Sequence, residues 1–459
     1  MTYYLDPFGC VKNQVDAENM MAALNLSGWA ASENAEDADL IIVNSCGFIE
    51  SAKKESIKAV LNWRKLHPKK KILLAGCLAQ RYAKELSEEL KEADGFFGTE
   101  NLAEITDAVS KIEGFSHSLP TSRSPLPSVL SPAPCSPQGK RPLLSPPGTA
   151  YVKISEGCNN NCSFCAIPLI RGRLKSRGID EIVKECKTLL DRGTKELCLI
   201  AQDSGSYGKD SISPNDGLPD LLKAISRLKG NFRVRLLYIH PDHFPLPILD
   251  IMEEDNRFIP YFDIPFQHGS EKILRLMNRR GNAKIYLGLI KTIRGRLPDS
   301  VIRSTFMTGF PGETDEDFRQ LLSFQKEARL DWMGAFAYSR EDNTPAWSMK
   351  EQVTKKTAAG RKKIIEEAQI PITEKQMDRF IGRSFDVLVE EKIESPGEEL
   401  ADDSENSGED TVYLGRLYLQ APDIDGSTVI LSPRQLSLGE ICRCRIISRS
   451  GFDLRAVIE

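Results

Sequence analysis

Six short apolar runs, each followed by a segment of helical periodicity, fill residues 151–339 of this 459-residue chain: YVKIS, ELCLIAQ, RVRLLYI, PYFDIP, VIRSTFM and MGAFAYS. A strand that is apolar at every position must be covered on both faces, and strands alternating with helices make parallel sheets. Six such units predict a partial (β/α)6 barrel, with its chemistry at the C-terminal ends of the strands. Helical periodicity is visible at 179–190 and 316–328, and a helix-rich stretch at 355–378 closes the unit.

A shorter version of the same rhythm precedes it. TYYLDPFGC, ADLIIVNSC and KKILLAGC read as strands, with helices near 14–26, 50–66 and 80–90. They predict an N-terminal parallel α/β sheet covered on both faces. Residues 118–148 are dense in Pro and Ser, cannot bury a core, and read as an extended linker. From 377 onward the segments RSFDVLVEEKI, VYLGRLYL, STVIL, ICRCRIIS and DLRAVIE predict a small antiparallel β-barrel. An acidic insert at 394–411 lacks aromatic residues and reads as a disordered loop. The expectation is a multidomain α/β protein with domains at 1–117, 149–376 and 377–459, the first two joined by the 118–148 linker.

Apolar residues make up 41% and charged residues 27%, ordinary for a globular protein. No run approaches the ~18–20 apolar residues of a membrane span, so no membrane partner is expected. The N-terminus MTYYLDPFGC lacks the basic start and apolar centre of a secretory signal. Cytoplasmic residence follows, and there eleven cysteines point to metal, cluster or catalytic use rather than disulfides. Cys135, Cys186, Cys198, Cys442 and Cys444 are scattered and read as small core or loop residues.

The remaining six fall into two groups. Cys158, Cys162 and Cys165 form C-x-x-x-C-x-x-C in the loop EGCNNNCSFCAIP, directly after the first predicted strand of the central unit. Three thiolates suit zinc or an iron–sulfur cluster. Zinc would want a fourth Cys or His, and none follows before Pro168. On a four-iron cluster, three thiolates leave one iron open for a substrate or cofactor. Cys10, Cys46 and Cys77 are far apart in sequence, yet each ends a predicted strand: PFGC, VNSC and LAGC. Ligands collect at the carboxyl ends of strands in open parallel sheets, so three βα units would bring these thiols to one edge. Gly9, Gly47 and Gly76 would permit close approach. Three buried structural cysteines would give the same pattern.

CNNNCSFC, with Phe164 before its last cysteine, resembles the signature of the radical S-adenosylmethionine (SAM) enzymes. The resemblance implies a 4Fe–4S cluster on Cys158, Cys162 and Cys165 whose open iron is chelated by the amino and carboxylate groups of SAM. It implies reductive cleavage of SAM to methionine and a 5′-deoxyadenosyl radical, with Phe164 near the adenine. The order of a three-cysteine domain, a radical SAM domain and a small β-barrel is similar to that of the methylthiotransferase family, whose barrel is the TRAM module. This likeness spans essentially the whole chain. It implies a second 4Fe–4S cluster on Cys10, Cys46 and Cys77, with an open iron that carries the sulfur to be inserted. One SAM would methylate that sulfur, and a second would yield the radical that takes hydrogen from the substrate. An electron donor such as flavodoxin or ferredoxin is implied as well.

That family divides by substrate. LIAQDSGSYG, LLYIHPDHFP, YFDIPFQHGSEKILRLMNR and FAYSREDNTPA are similar to the branch that modifies the β-carbon of an aspartate in protein twelve of the small ribosomal subunit. Methylthiolation of a tRNA adenosine is the alternative. A non-catalytic iron–sulfur or zinc protein is a second alternative. Charge bears on the choice, because residues 377–459 hold 9 Lys and Arg against 17 Asp and Glu. An RNA-binding barrel would carry a basic face, whereas an acidic one attracts a basic protein, so nucleic acid is the less favoured partner. A solvated loop with no partner would equally account for the eight acids between 394 and 410.

TGFPGETDEDF lacks the G-K-[ST] ending of a phosphate loop and reads as a strand end followed by a helix cap, Thr314 with Asp317 three residues on. Gln267 and His268, after the fourth strand of the central unit, are expected to face the site, Gln267 in contact with SAM. Arg303 on the fifth is a candidate counter-charge for the SAM carboxylate. RGRLKSR, at 171–177, either does the same, docks the substrate, or is a solvated charge run. No general acid–base dyad is expected.

Overall fold

A computed structural model describes residues 1–112, 141–211, 216–394 and 411–459. Most of the 118–148 segment, Cys135 and nearly all of the acidic insert lie outside the described residues.

The N-terminal domain is a five-stranded parallel sheet of β1 (Thr2–Pro7), β2 (Ala30–Ala31), β3 (Leu40–Ser45), β4 (Lys71–Gly76) and β5 (Gly95–Phe97), in the order β2-β1-β3-β4-β5. β3 is buried at every position because helices cover both faces. Alternate residues point to opposite sides of a strand. Leu40 and Ile42 therefore join Tyr3, Met20 and Leu73 in one core, while Ile41 and Val43 join Val60, Ile72 and Leu74 in another. The helix expected at 14–26 begins earlier, at Val11–Leu26, and the second is Glu50–Leu66. The third, expected near 80–90, is two short helices, Cys77–Arg81 and Ala83–Glu89. Since β1, β3 and β4 are neighbours and parallel, their C-terminal ends deliver Cys10, Cys46 and Cys77 to one edge.

The central domain contains β6 (Thr149–Lys153), β7 (Ser155–Glu156), β8 (Lys175–Ser176), β9 (Glu196–Ile200), β10 (Arg233–Leu236), β11 (Tyr261–Asp263), β12 (Val301–Thr308) and β13 (Trp332–Ala337). The six longer parallel strands are the six expected. They form two sheets, β6-β9-β10 and β11-β12-β13, joined by a parallel bridge between Val234 and Phe258. Among the described residues β6 and β13 pair on one side only, so the barrel is open, and the helix Lys355–Asp378 packs on β12 and β13. The antiparallel hairpin β7–β8 closes the base of the cysteine loop.

The C-terminal domain is a closed barrel of β14 (Ser384–Ile393), β15 (Thr411–Arg416), β16 (Thr428–Ser432), β17 (Ile441–Ser450) and β18 (Asp453–Ile458), in the order β14-β15-β16-β18-β17. It departs from the expected antiparallel pattern in one pair, β16 with β18, which is parallel. Cys442 and Cys444 fill its core, and Cys186 and Cys198 are buried in the central domain.

This barrel sits under the N-terminal ends of the central strands. Glu196, the first residue of β9, accepts from Arg235 Nε at 2.8 Å and from Arg416 Nη1 at 3.0 Å. Trp332, the first residue of β13, donates Nε1–H to the Leu419 carbonyl at 2.7 Å. Burial alone would raise the Glu196 carboxyl, but the two guanidiniums hold it well below the usual carboxylate range. A depressed pKa contributes stability that is present above the unfolded value, ~4.3 for Glu, and lost as pH falls through the folded value. The contribution of this joint is therefore held through the usual carboxylate range and lost only below it. Glu196→Ala leaves the buried Arg235 without its anion and Arg416 with Glu390 alone, and is expected to cost about 3–5 kcal/mol in a urea titration of the apo chain. Arg443→Ala, which breaks an exposed pair with Asp386 at 3.2 Å, is expected to change stability by under ~1 kcal/mol.

Candidate active site between two cysteine triads

The C-terminal ends of β1, β3 and β4 face the C-terminal ends of the central strands. Between them lies one cavity of about 310 Å³, lined by Cys10, Cys46 and Cys77 on one wall and Cys158, Cys162 and Cys165 on the other.

Local backbone geometry builds the first wall. Cys10 is the extended N-cap of the helix Val11–Leu26. In its first turn Asn13 Nδ2 donates to the Phe8 carbonyl at 2.7 Å and the Ser45 carbonyl at 3.2 Å, tying the end of β1 to the end of β3. A Cβ on Gly9, whose φ is +96°, would lie 3.3 Å from the Cys46 Cβ, and one on Gly47 would lie 2.6 Å from the Cys77 carbonyl oxygen. Both glycines are therefore required by the closeness of the three turns. Gly47→Ala is expected to push the Cys77 turn away from Cys46, measured as faster alkylation of the Cys77 thiol in the apo chain.

The second wall is the loop between β7 and β8. Cys158 N–H donates to the Gly172 carbonyl at 3.1 Å, and Ser163 Oγ to the Leu276 carbonyl at 2.7 Å. Backbone N–H groups of Asn160 and Ile167 point at the sulfurs of Cys158 and Cys165, at 3.4 and 3.5 Å. The loop runs into the helix Ile167–Arg171, and Arg171 crosses the gap. Its Nη2 donates to Cys77 Sγ at 3.1 Å, while the guanidinium pairs with Asp16 at 2.8 Å and Glu156 at 2.9 Å. Lys153 bonds the same two carboxylates. On the far side of the seam Glu341 accepts from Lys53 and Arg81, both at 2.8 Å.

The structure brings together most, not all, of the expected site residues. Phe164 lines the cavity and packs with Met307, Phe310 and Tyr338. Gln267 lines it too, held at φ +70°. His268 does not face the site: it is fully buried, its Nδ1 accepts from Ser270 N–H at 2.9 Å, and its Nε2 lies 3.6 Å from Glu313. Arg303 is not on the cavity wall either; it pairs with Asp263 at 3.2 Å and Asp425 at 3.4 Å, toward the C-terminal barrel. The reason is its place on β12, five residues before the strand's end at Thr308, which sets it roughly 16 Å below the C-terminal rim. The 171–177 run is not simply solvated, because Arg171 and Arg177 are buried and paired while Arg173 and Lys175 are exposed. The Thr314 capping box forms, with Asp317 Oδ2 accepting from Thr314 N–H at 2.9 Å. Lys12, Asn13, Tyr238 and Arg279 also line the cavity and were not singled out from the sequence; the first two carry a signal, lying within three residues of Cys10 at a helix start.

Known proteins align with all three parts. The family model for the Radical SAM superfamily matches residues 152–324, Uncharacterized protein family UPF0004 matches 2–98, and the TRAM domain matches 381–458. A Treponema denticola protein named ribosomal protein uS12 methylthiotransferase RimO is 47% identical over 480 residues, covering 99% of this chain and all of that one. A Syntrophomonas wolfei protein of the same name is 39% identical, covering 97% of each. The chain belongs to the RimO family of radical SAM methylthiotransferases. The solved radical SAM methyltransferase TsrM of Kitasatospora setae, with cobalamin and a 4Fe–4S cluster bound, shares the fold at a TM-score of 0.53 and 15% identity, over 75% of this chain and 73% of that one.

As a RimO-family member the protein is a SAM-dependent, sulfur-transferring enzyme that works with 4Fe–4S clusters. The cavity walls fit such groups. Burial pushes the thiols of Cys77 and Cys165 up to about 12 and that of Cys158 to about 11, and raises Cys46 and Cys162 as well. Thiols so enclosed stay protonated until a metal takes them, which deprotonates them outright. Among the described residues no three His, Cys, Asp or Glu side chains converge on a single-ion site.

Proposed function

We propose that this chain inserts a methylthio group at the β-carbon of an aspartate in ribosomal protein uS12. Cys158, Cys162 and Cys165 hold the SAM-cleaving 4Fe–4S cluster, and Cys10, Cys46 and Cys77 hold the auxiliary one. The observation that carries the proposal is the shared cavity: all six cysteines line it, so a substrate atom in the gap is open to both walls. When bound, the clusters and SAM supply one-electron cleavage to a 5′-deoxyadenosyl radical and an iron-held sulfur. The chain's own residues position and enclose. Phe164 offers a face to the adenine and Gln267 a polar contact to SAM, while Phe48, Ile167 and Ile170 make the gap apolar and exclude water. A proton-transfer dyad is not needed. The reading places the protein in the cytoplasm, supplied with electrons by a flavodoxin or ferredoxin. Among the described residues no helix is long and apolar enough to cross a membrane.

The acidic balance of 377–459 favours a basic protein over RNA as the partner. Anaerobically reconstituted enzyme, given SAM, a reductant, uS12 and tRNA together, is expected to add a methylthio group to uS12 alone, read by mass spectrometry of both. A methylthio group on tRNA alone would overturn the substrate assignment.

A further inference from the structure

The gap between the triads contains one cation that makes no hydrogen bond or ion pair among the described residues. Lys12 is the second residue of the helix Val11–Leu26, two positions after Cys10, and its side chain lines the shared cavity. Its Nζ stands 3.0 Å from the ring centroid of Tyr238, on the central domain just after β10. A ring face attracts an ammonium but carries no net charge. The other cations of these walls are engaged: Arg171 with Asp16, Glu156 and Cys77, and Arg279 with the Pro265 carbonyl at 2.6 Å. The carboxylates in the field of Lys12 are engaged too, Asp263 with Arg303, and Glu156 with Lys153 and Arg171. Lys12 also sits at the positive end of a 16-residue helix whose first turn has no acidic residue. A cation is disfavoured there, and an arriving anion is favoured.

We propose that Lys12 is the positioning residue for the substrate, binding the carboxylate of the aspartate to be modified and selecting it over a neutral side chain or a nucleobase. This rests on the reading of the substrate as an aspartate. In aspartate the carboxyl carbon is bonded directly to the β-carbon. A carboxylate bound by the Lys12 ammonium therefore holds the β-carbon, one bond away, in the cavity that the two triads line. A neutral amide in the same place leaves the ammonium without its counter-charge, a mismatch that recognition sites of this kind penalise heavily.

The test compares a uS12 peptide containing the target aspartate with its asparagine twin. Their dissociation constants on SAM-loaded reconstituted enzyme, and KM and kcat for the aspartate peptide, are measured for the wild type, Lys12→Met and Lys12→Arg. The wild type is expected to prefer the aspartate peptide on the order of 100-fold. Lys12→Met should erase most of that ratio by weakening the aspartate peptide alone, raising KM, and Lys12→Arg should keep it. A Lys12→Met enzyme that weakens both peptides alike, with the ratio intact, overturns the proposal. So does an intact ratio with either weaker SAM binding or a shifted midpoint potential of the auxiliary cluster, which would assign the lysine to those groups. A wild type that modifies neither peptide overturns the substrate reading and this proposal with it. A wild type that modifies the aspartate peptide while Lys12→Met keeps the ratio overturns this proposal alone.

Discussion

Replacing Cys10, Cys46 and Cys77 together by alanine is expected to lower the iron of the reconstituted enzyme from about eight to about four atoms per chain. Methylthio transfer should disappear, while 5′-deoxyadenosine is still formed. The two triads stand on separate backbone elements, with Arg171 as a side-chain link between them, which is why they separate in this way. One stands on the ends of β1, β3 and β4 of a domain with its own two cores; the other stands on a loop held by the β7–β8 hairpin and by bonds to Gly172 and Leu276. Removing the first leaves the anchors of the second in place. The reciprocal variant, Cys158, Cys162 and Cys165 to alanine, should retain about four iron atoms and form neither 5′-deoxyadenosine nor methylthiolated product. Continued methylthio transfer by the first variant would sink the role given to the N-terminal triad.

Among single substitutions outside the cysteines, Arg171→Met should be one of the two most costly, with Glu196→Ala. Arg171 bonds Asp16, Glu156 and Cys77 at once, and its side chain is 2% exposed. Methionine fills similar volume but leaves Asp16 and Glu156 to share Lys153 alone. Breaking a buried network from one side costs about 3–5 kcal/mol. Arg171→Lys should recover only part of that, because a point ammonium cannot replace a planar fork that serves three partners. The loss should fall on the seam between the N-terminal and central domains. Differential hydrogen exchange is therefore expected to show opening at the Val11–Leu26 and Ile167–Arg171 helices, with the C-terminal barrel unchanged. Uniform loosening across all three domains would contradict this placement.

The strands of the first two domains and both triads were legible in the sequence for a local reason. Unbroken apolar runs such as LIIVNS declare a doubly covered strand, and a cysteine at the end of each of three such runs declares a common edge. What stayed hidden depends on distant partners. The β7–β8 hairpin is two residues wide and too short for any periodicity to register. The parallel pairing of β16 with β18 is a matter of chain path, which composition does not carry. Arg303 and Arg171 look alike as candidate counter-charges, yet one is engaged by Asp425 from the C-terminal barrel and the other by Asp16 from the N-terminal domain. His268 follows the cavity-lining Gln267 directly, and one step along the chain turned it from the cavity into the core.

The six cysteines line one cavity, so the two proposed clusters would face each other across it. The most direct test is electron paramagnetic resonance of the reconstituted enzyme with both clusters reduced. A spectrum split by magnetic coupling between two neighbouring clusters is expected, collapsing to that of a single uncoupled cluster in either triple-alanine variant. A wild-type spectrum equal to the simple sum of the two variants' spectra would contradict it.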